Sequence, residues 1–238
     1  MNLDKQIAVI TGASSGLGRL ISEKLAHHGF YVILASRNEK KLNLNAQKIK
    51  KNGGHCIAIP TDITDESSIR NLAESVKKLG AISVLINNAG LGRFSEFSTH
   101  STEIWDQQIS VNLRGAFLVT RAFISDMKKS KKGRIVFINS TAGRQGYSHS
   151  AAYVASKYGL RGLAESLRME VRNDGIKVIS VYPGAFDSPF WNALDMGFPR
   201  GEMMTSDAVA EMVVQTILIP GNAVVEDLVL RRVMGDIE

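Results

Sequence analysis

Three glycines in Thr11-Gly12-Ala13-Ser14-Ser15-Gly16-Leu17-Gly18 separate a β-rich run, Ile7-Ala8-Val9-Ile10, from a helical stretch, Leu20-Ile21-Ser22-Glu23-Lys24-Leu25-Ala26. This strand-turn-helix context gives the glycines a physical role. Lacking Cβ atoms, they let the backbone turn tightly and approach a pyrophosphate, whose charge is favoured by the free amides and positive end of the following helix. The expected ligand is a dinucleotide. Three residues separate the first two glycines, unlike the commoner G-x-G-x-x-G, so the run by itself also fits an ordinary glycine-rich turn.

Apolar runs alternate with helical patterns along the chain, as a parallel sheet with crossover helices requires. Strands are expected near residues 6–11, 31–36, 55–60, 83–88, 134–140 and 176–182, with a shorter one near 225–231, and the longest helices over 102–129 and 151–172. Right-handed crossovers then give an α/β fold: a doubly wound, mostly parallel, Rossmann-like sheet of about seven strands with helices on both faces. Ligands bind beyond the carboxyl ends of such strands, where the motifs fall.

No Pro/Gly/Ser-rich linker divides the 238 residues, so 1–238 is expected to form a single dinucleotide-binding and catalytic domain. The 44% hydrophobic content supports a sizeable core, and no window reaches the eighteen or more apolar residues of a membrane span. Met1 to Gln6 show no basic region leading into a long apolar segment, so no signal peptide is expected. The single cysteine, Cys56, lies in a predicted buried strand, and these features together point to a cytoplasmic protein. His27, His28, His55, His100 and His149 lack metal-ligand spacing, so no metal is expected. The charge of +6 is modest; Lys40, Lys41, Lys48, Lys50 and Lys51, and Lys128, Lys129, Lys131, Lys132 and Arg134, suit solvated faces rather than nucleic acid.

Downstream stand Asn87-Asn88-Ala89-Gly90, Ser140, and Tyr153 four residues before Lys157. The Tyr-Lys pair alone could be a solvated helix pair, but the order and spacing of the whole set resemble the short-chain dehydrogenase/reductase family in its compact form. Thr11 to Gly18 match its T-G-x-x-x-G-x-G, Asn87 to Gly90 its N-N-A-G, and Ser140, thirteen residues ahead of Tyr153 in Y-x-x-x-K, its catalytic pattern. Asn112 falls where the family carries a fourth catalytic residue, and Pro183-Gly184 match a P-G after the sixth strand. The resemblance extends to about Pro189; the last fifty residues match far less distinctively.

The resemblance implies an oxidoreductase that reduces a carbonyl to an alcohol, reversibly, with a catalytic set of Asn112, Ser140, Tyr153 and Lys157. It also implies a nicotinamide cofactor held by Gly12, Ser14, Ser15, Gly16, Leu17, Gly18, Ser36, Arg37, Asp62, Ile63, Asn88, Ala89, Gly90, Val111, Tyr153, Lys157, Pro183, Gly184 and Ser188. Asp62 would meet the adenine amino group, Lys157 the nicotinamide ribose, Ser140 the substrate oxygen, and Asn112 a water connected to Lys157. A substrate lid would lie around 186–204, and a homotetramer, or failing that a dimer, would pack through the two long helices. Phe117, Leu118, Phe123, Leu160, Leu163 and Leu167 are carried there.

The chemistry agrees with that set. Hydride delivered to a carbonyl carbon leaves an alkoxide, which a placed acid protonates as it forms. A free phenol has a pKa of about 10, and an ammonium about 4.5 Å away at an effective dielectric near 20 favours the phenolate by roughly 3 to 4 kcal/mol. Lys157 is thereby expected to bring Tyr153 toward physiological pH, since four-residue spacing puts both on one helix face. The second strand ends Leu34-Ala35-Ser36-Arg37-Asn38, without the carboxylate of NAD binders. Arg37 can pair with a 2′-phosphate and Ser36 can donate to it, so NADP(H) is expected.

Three other functions compete. Gly12-Ala13-Ser14-Ser15-Gly16 fits the G-x-S-x-G of serine hydrolases, with His149 downstream, but only one strand precedes Ser14. A non-catalytic dinucleotide sensor would be expected to have lost the tyrosine or lysine. Reduction of 3-oxoacyl groups on acyl carrier protein would use Lys128, Lys129 and Arg172 to dock the acidic carrier, although the ending Val224 to Glu238 departs from those reductases. Phe186, Phe190, Trp191, Met196, Phe198, Met203 and Met204 suit either an apolar small-molecule substrate or packing of the lid; Arg93 and Arg144 could meet a substrate anion or face water.

Overall fold

The computed structural model describes residues 6–193 and 199–235. Its central sheet contains β1 (Ile7–Thr11), β2 (Tyr31–Ser36), β3 (His55–Pro60), β4 (Ile82–Asn87), β5 (Gly133–Ile138) and β6 (Ile176–Pro183). Two short strands, β7 (Phe186–Asp187) and β8 (Met204–Thr205), pair separately, and β9 (Asp227–Leu230) completes the main sheet. Its order is β3-β2-β1-β4-β5-β6-β9 and every neighbouring pair is parallel. This is the expected doubly wound, Rossmann-like architecture.

Alternation along each strand divides the core. Ala8, Ile10, Val32 and Leu34 face one layer with α1 (Gly16–His27), α2 (Glu39–Lys51) and, further along the chain, the helix Ser206–Leu218. Ile7, Val9, Ile33 and Ala35 face the other, with α3 (Glu66–Lys77), α4 (Thr102–Ile109), α5 (Ala116–Ser130) and α6 (Ala151–Val171) arranged on that side. Ser206–Leu218 is α7. Successive side chains of a strand point to opposite faces, so strands buried on both sides read as nearly continuous apolar runs.

The predicted helix over 102–129 is interrupted. A π-helical turn, Ser110–Gly115, joins α4 to α5. Within it Asn112 accepts from Leu91 N at 2.8 Å and donates to Leu91 O at 2.8 Å and Ser156 Oγ at 3.0 Å. The inserted turn thus ties this helix to both the loop after β4 and α6. Apolar periodicity carried no sign of it.

β1 pairs with β2 on one side and β4 on the other, so the crossovers diverge beyond these two strand ends and leave a crevice. Thr11 and Asn88 hold the ends together. Thr11 Oγ1 donates to Ile86 O and accepts from the amides of Asn88 and Ala89 at 3.0 and 3.1 Å, while Asn88 Nδ2 donates to Thr11 O at 2.9 Å. Among the described residues no helix is long and apolar enough to cross a membrane. Met196 and Phe198 lie outside the described residues.

Candidate active site

A cavity of about 850 Å³ opens beyond the carboxyl ends of β1, β4, β5 and β6. Of the residues that the sequence nominates, Gly12, Ser14, Ser15, Gly16, Leu17, Ser36, Arg37, Asp62, Ile63, Asn88, Ala89, Gly90, Val111, Ser140, Tyr153, Lys157, Pro183, Gly184 and Ser188 line it. Gly18 and Asn112 do not. A Cβ on Gly18 would meet Gly12 O at 2.5 Å, so this glycine permits close packing of α1 on the turn.

One end fits a dinucleotide phosphate. Gly12 and Gly16 have φ of +67° and +52°, a region that side chains with a Cβ rarely adopt. Asn38, Asp65, Ser101 and Thr205 cap α2, α3, α4 and α7 through side-chain oxygens, whereas Ser15 at the start of α1 makes no such bond. The first amides of α1 are therefore left to an anion in the cleft. Ser14 and Ser36 share a hydrogen bond of 2.9 Å at the end of β2, beside exposed Arg37, which has no ion-pair partner among the described residues. Asp62 lies at the same end, its Oδ1 accepting from Thr64 N and Oγ1 at 2.9 and 2.7 Å.

At the other end Ser140 follows β5 while Tyr153 and Lys157 project from α6. Ser140 lies near enough to the Tyr153 hydroxyl to act on its pKa, and Lys157 Nζ lies 5.6 Å from the Tyr153 ring centroid and donates to Ile138 O at 3.0 Å. The electrostatics differ from the sequence expectation. Burial pushes Tyr153 up to about 12, opposed in part by the Ser140 hydroxyl, and holds Lys157 down at about 8. Desolvation outweighs the attraction because Lys157 is only 5% exposed and aims its ammonium at a carbonyl. The phenol consequently stays protonated at neutral pH.

Asn139 was not nominated by the sequence. Its Oδ1 accepts from Ser140 N at 2.9 Å and its Nδ2 donates to Lys157 O at 3.1 Å, so one buried amide fixes both neighbours. Its place directly before Ser140 was the only signal. Gly90 is also a close neighbour: a Cβ there would lie 3.3 Å from Asn112 Oδ1 and 3.8 Å from Lys157 Nζ. Ser14 is bonded to Ser36 and no histidine hydrogen-bonds it among the described residues, which removes the hydrolase arrangement. Arg93 and Arg144 do not line the cavity; Arg93 turns to Gly92 O, and Arg144 packs over the Tyr182 ring and reaches Asp227. Of the lid segment, Phe186, Phe190 and Trp191 line the cavity, and Arg200 holds that segment through Asp187, Asn192 and Ser188 O. Among the described residues no group of three His, Cys, Asp or Glu is placed to hold a metal ion.

A parallel Rossmann-like sheet with a nucleotide cradle leading to a Ser-Tyr-Lys cluster defines a class of dinucleotide-dependent oxidoreductases. The short chain dehydrogenase family model matches residues 6–197, and the chain belongs to that family. The chain is 36% identical over 242 aligned positions to the sepiapterin reductase of Chlorobaculum tepidum, covering 98% of this chain and 99% of the relative. It is 35% identical over 195 positions to the 3-oxoacyl-[acyl-carrier-protein] reductase of Escherichia coli, covering 82% and 79%. The alcohol dehydrogenase of Thermococcus sibiricus, solved with 5-hydroxy-NADP, superposes with a TM-score of 0.91 at 28% identity, covering 99% of this chain and 100% of that one.

The buried ammonium gives stability a pH signature. Lys157 titrates near 8 in the fold against 10.5 for a free side chain, so the unfolded chain binds more protons between those values. The cost of burying the cation is full below pH 8 and is relieved as pH rises through that window, whereas Tyr153 lowers stability only above its unfolded value near 10. Lys157→Met should be more stable than the native chain at pH 7 by about 1 to 2 kcal/mol, with most of the advantage lost by pH 9.5. Urea unfolding at both pH values measures this; an advantage that is absent, or equal at both, rejects burial as the cause.

Proposed function

We propose that this protein is an NADP(H)-dependent reductase that converts a small-molecule carbonyl compound to an alcohol and runs in reverse as an alcohol dehydrogenase. The observation that carries this is the convergence of Ser140, Tyr153 and Lys157 on one cavity, where its dinucleotide end meets its apolar mouth. Bound NADPH supplies the hydride. Ser140 holds the carbonyl oxygen, and Tyr153, kept protonated by its surroundings, donates its proton to that oxygen as negative charge develops. Lys157 stabilises the phenolate left behind, which it can do only when it carries its own proton. Asn112 and Lys157 border the Cβ-free space at Gly90, so a water there would connect the pair to solvent. Because the Asn112 side chain is already bonded to Leu91 and Ser156, its part in this relay is to position the water and the π-helical turn.

Cofactor choice rests on Arg37 and Ser36, whose donors suit a 2′-phosphate, and the bound cofactor of the Thermococcus sibiricus neighbour agrees. A small-molecule substrate is favoured over an acyl carrier by the state of the basic cluster. Lys128 is paired with Glu170 at 2.7 Å and Asp174 at 3.8 Å, and Lys129 with Asp126 at 3.5 Å, which weakens two of the three cations a carrier would dock on, while exposed Arg172 has no ion pair among the described residues. The end-to-end match to a sepiapterin reductase points the same way. Assembly as a homotetramer rests on the α4–α6 side. Leu118, Phe123 and Leu160, nominated for that interface, are consumed by the subunit's own core, while Phe117, Trp105 and Met169 are exposed there.

Tyr153→Phe should leave NADPH affinity nearly unchanged and lower kcat by about a hundredfold or more. Near-native turnover by this variant would sink the acid assignment. Arg37→Asp removes a charge-assisted pair and adds repulsion, which should weaken NADPH by roughly 2 to 4 kcal/mol and NADH far less. Titration calorimetry showing equal losses for both cofactors would remove Arg37 from phosphate recognition. Light scattering at micromolar concentration should return a tetrameric mass; a monomer there contradicts the assembly.

A further inference from the structure

The wall of the cleft beside Tyr153 is made of ring edges. Phe94 meets the Tyr153 ring at 5.6 Å and 89°, Phe190 lies 5.8 Å from it at 51°, and Phe190 meets Trp191 at 5.4 Å and 82°. These rings come from two distant segments, the loop after β4 and the turn after β6. They converge because residue 92 has no side chain. A Cβ on Gly92 would overlap Phe190 Cζ and lie 3.2 Å from Phe94 Cζ, so the bare backbone seats both rings. Trp191 is fixed by its Nε1–H donating to Phe186 O at 2.8 Å.

Ser140, Thr141, Tyr147, Ser148, His149, Ser150 and Tyr153 line this end, but charged side chains there are few. Apart from Lys157, no Lys, Arg, Asp or Glu lines it among the described residues; the lining charges Arg37 and Asp62 belong to the nucleotide end. A carboxylate or phosphate entering here would find hydroxyls and the His149 ring but only one ammonium, Lys157, which is already directed at Ile138 O. An uncharged ring meets surfaces suited to edge-to-face contact, which prefer it to a saturated ring of the same size by about 2- to 12-fold per contact.

On the reading of this site as a carbonyl reductase, we infer that its substrate is an uncharged ketone carrying an aromatic or heteroaromatic ring next to the carbonyl, with Gly92 as the residue that positions the selecting rings. The ring packs against the wall that Phe94, Phe190 and Trp191 form while the oxygen meets Ser140 and Tyr153. The carbonyl carbon takes a hydride from NADPH and the oxygen takes the Tyr153 proton, which solvent then restores. The ketone is reduced to a secondary alcohol and NADPH is oxidised to NADP⁺.

The test compares acetophenone with cyclohexyl methyl ketone, and methyl 4-acetylbenzoate with 4-acetylbenzoate, by NADPH oxidation in the native enzyme, Phe190→Leu and Gly92→Ala. The native enzyme should favour acetophenone over its saturated counterpart at least tenfold in kcat/KM, and the ester over the carboxylate about a hundredfold. Both variants should reduce the aromatic preference to about threefold or less; comparing ratios between enzymes cancels the ketones' intrinsic reactivities. A preference unchanged in the variants, or absent in the native enzyme while both ketones are reduced, overturns the ring selection and leaves the reductase reading intact. Calorimetry on the NADP⁺-loaded protein separates the remaining case. Tighter acetophenone binding without turnover of any ketone supports the aromatic site and overturns the reductase reading; no turnover and no preference in binding overturns both.

Discussion

The contact between the ends of β1 and β4 governs the rest of the molecule. A parallel sheet wound in both directions from β1 must part its crossovers there, and the gap becomes useful only if the two ends remain in register. Thr11 and Asn88 supply that register through backbone and side-chain hydrogen bonds, leaving Gly12 facing Ala89 with no room for a side chain. The proposed phosphate cradle is placed from this junction. The α1 amides lie one turn beyond it and Gly90 two residues past Asn88, with Asn112 and Lys157 closing over Gly90.

Desolvation decides the electrostatics at the reacting end. At close range an ammonium and a phenol would ordinarily pull the phenol's pKa down, but here both groups sit beneath protein and burial disfavours each charged form. The result is a protonated acid next to a cation that titrates near 8. This suits the reductive direction, in which Tyr153 begins with its proton and charge appears only as the reaction proceeds. A charge that arises late in a dry site is stabilised by an existing ammonium more strongly than the same charge would be in water.

The layer architecture was legible because it follows from period-two burial: the apolar runs of β1, β2, β4, β5 and β6 cover both faces, and all seven strands of the main sheet lie within two residues of the ranges the pattern gives. The cradle was legible because a tight turn between strand and helix demands glycines, and the Ser140, Tyr153 and Lys157 set because its order and spacing resemble the family's pattern. What stayed hidden depends on tertiary neighbours. The π-helical turn is set by Asn112 reaching Leu91 and Ser156, and the Tyr153 pKa by how much protein covers it. Lys128 looked like a free cation only because Glu170 and Asp174 are brought to it across the α5–α6 packing.

The C-terminal segment, where the sequence resemblance was weakest, ties the two walls of the cavity mouth. Arg231 donates to Gln145 Oε1 at 3.0 Å, and Gln145 donates to Tyr147 OH, which bonds Thr141 beside Ser140. The next residue, Arg232, donates to Glu202 at 3.1 Å, in the turn of Arg200–Glu202 on the opposite wall. Consecutive arginines thus hold the loop carrying Ser140 and the segment carrying Phe190 and Trp191 from one short stretch after β9. On the proposed reading, hydride transfer needs the cradle and the Ser-Tyr-Lys geometry whatever the substrate, so those residues would be constrained by chemistry. The walls are constrained only by what they must admit, and a sequence signature built on the shared chemistry therefore fades where this segment begins.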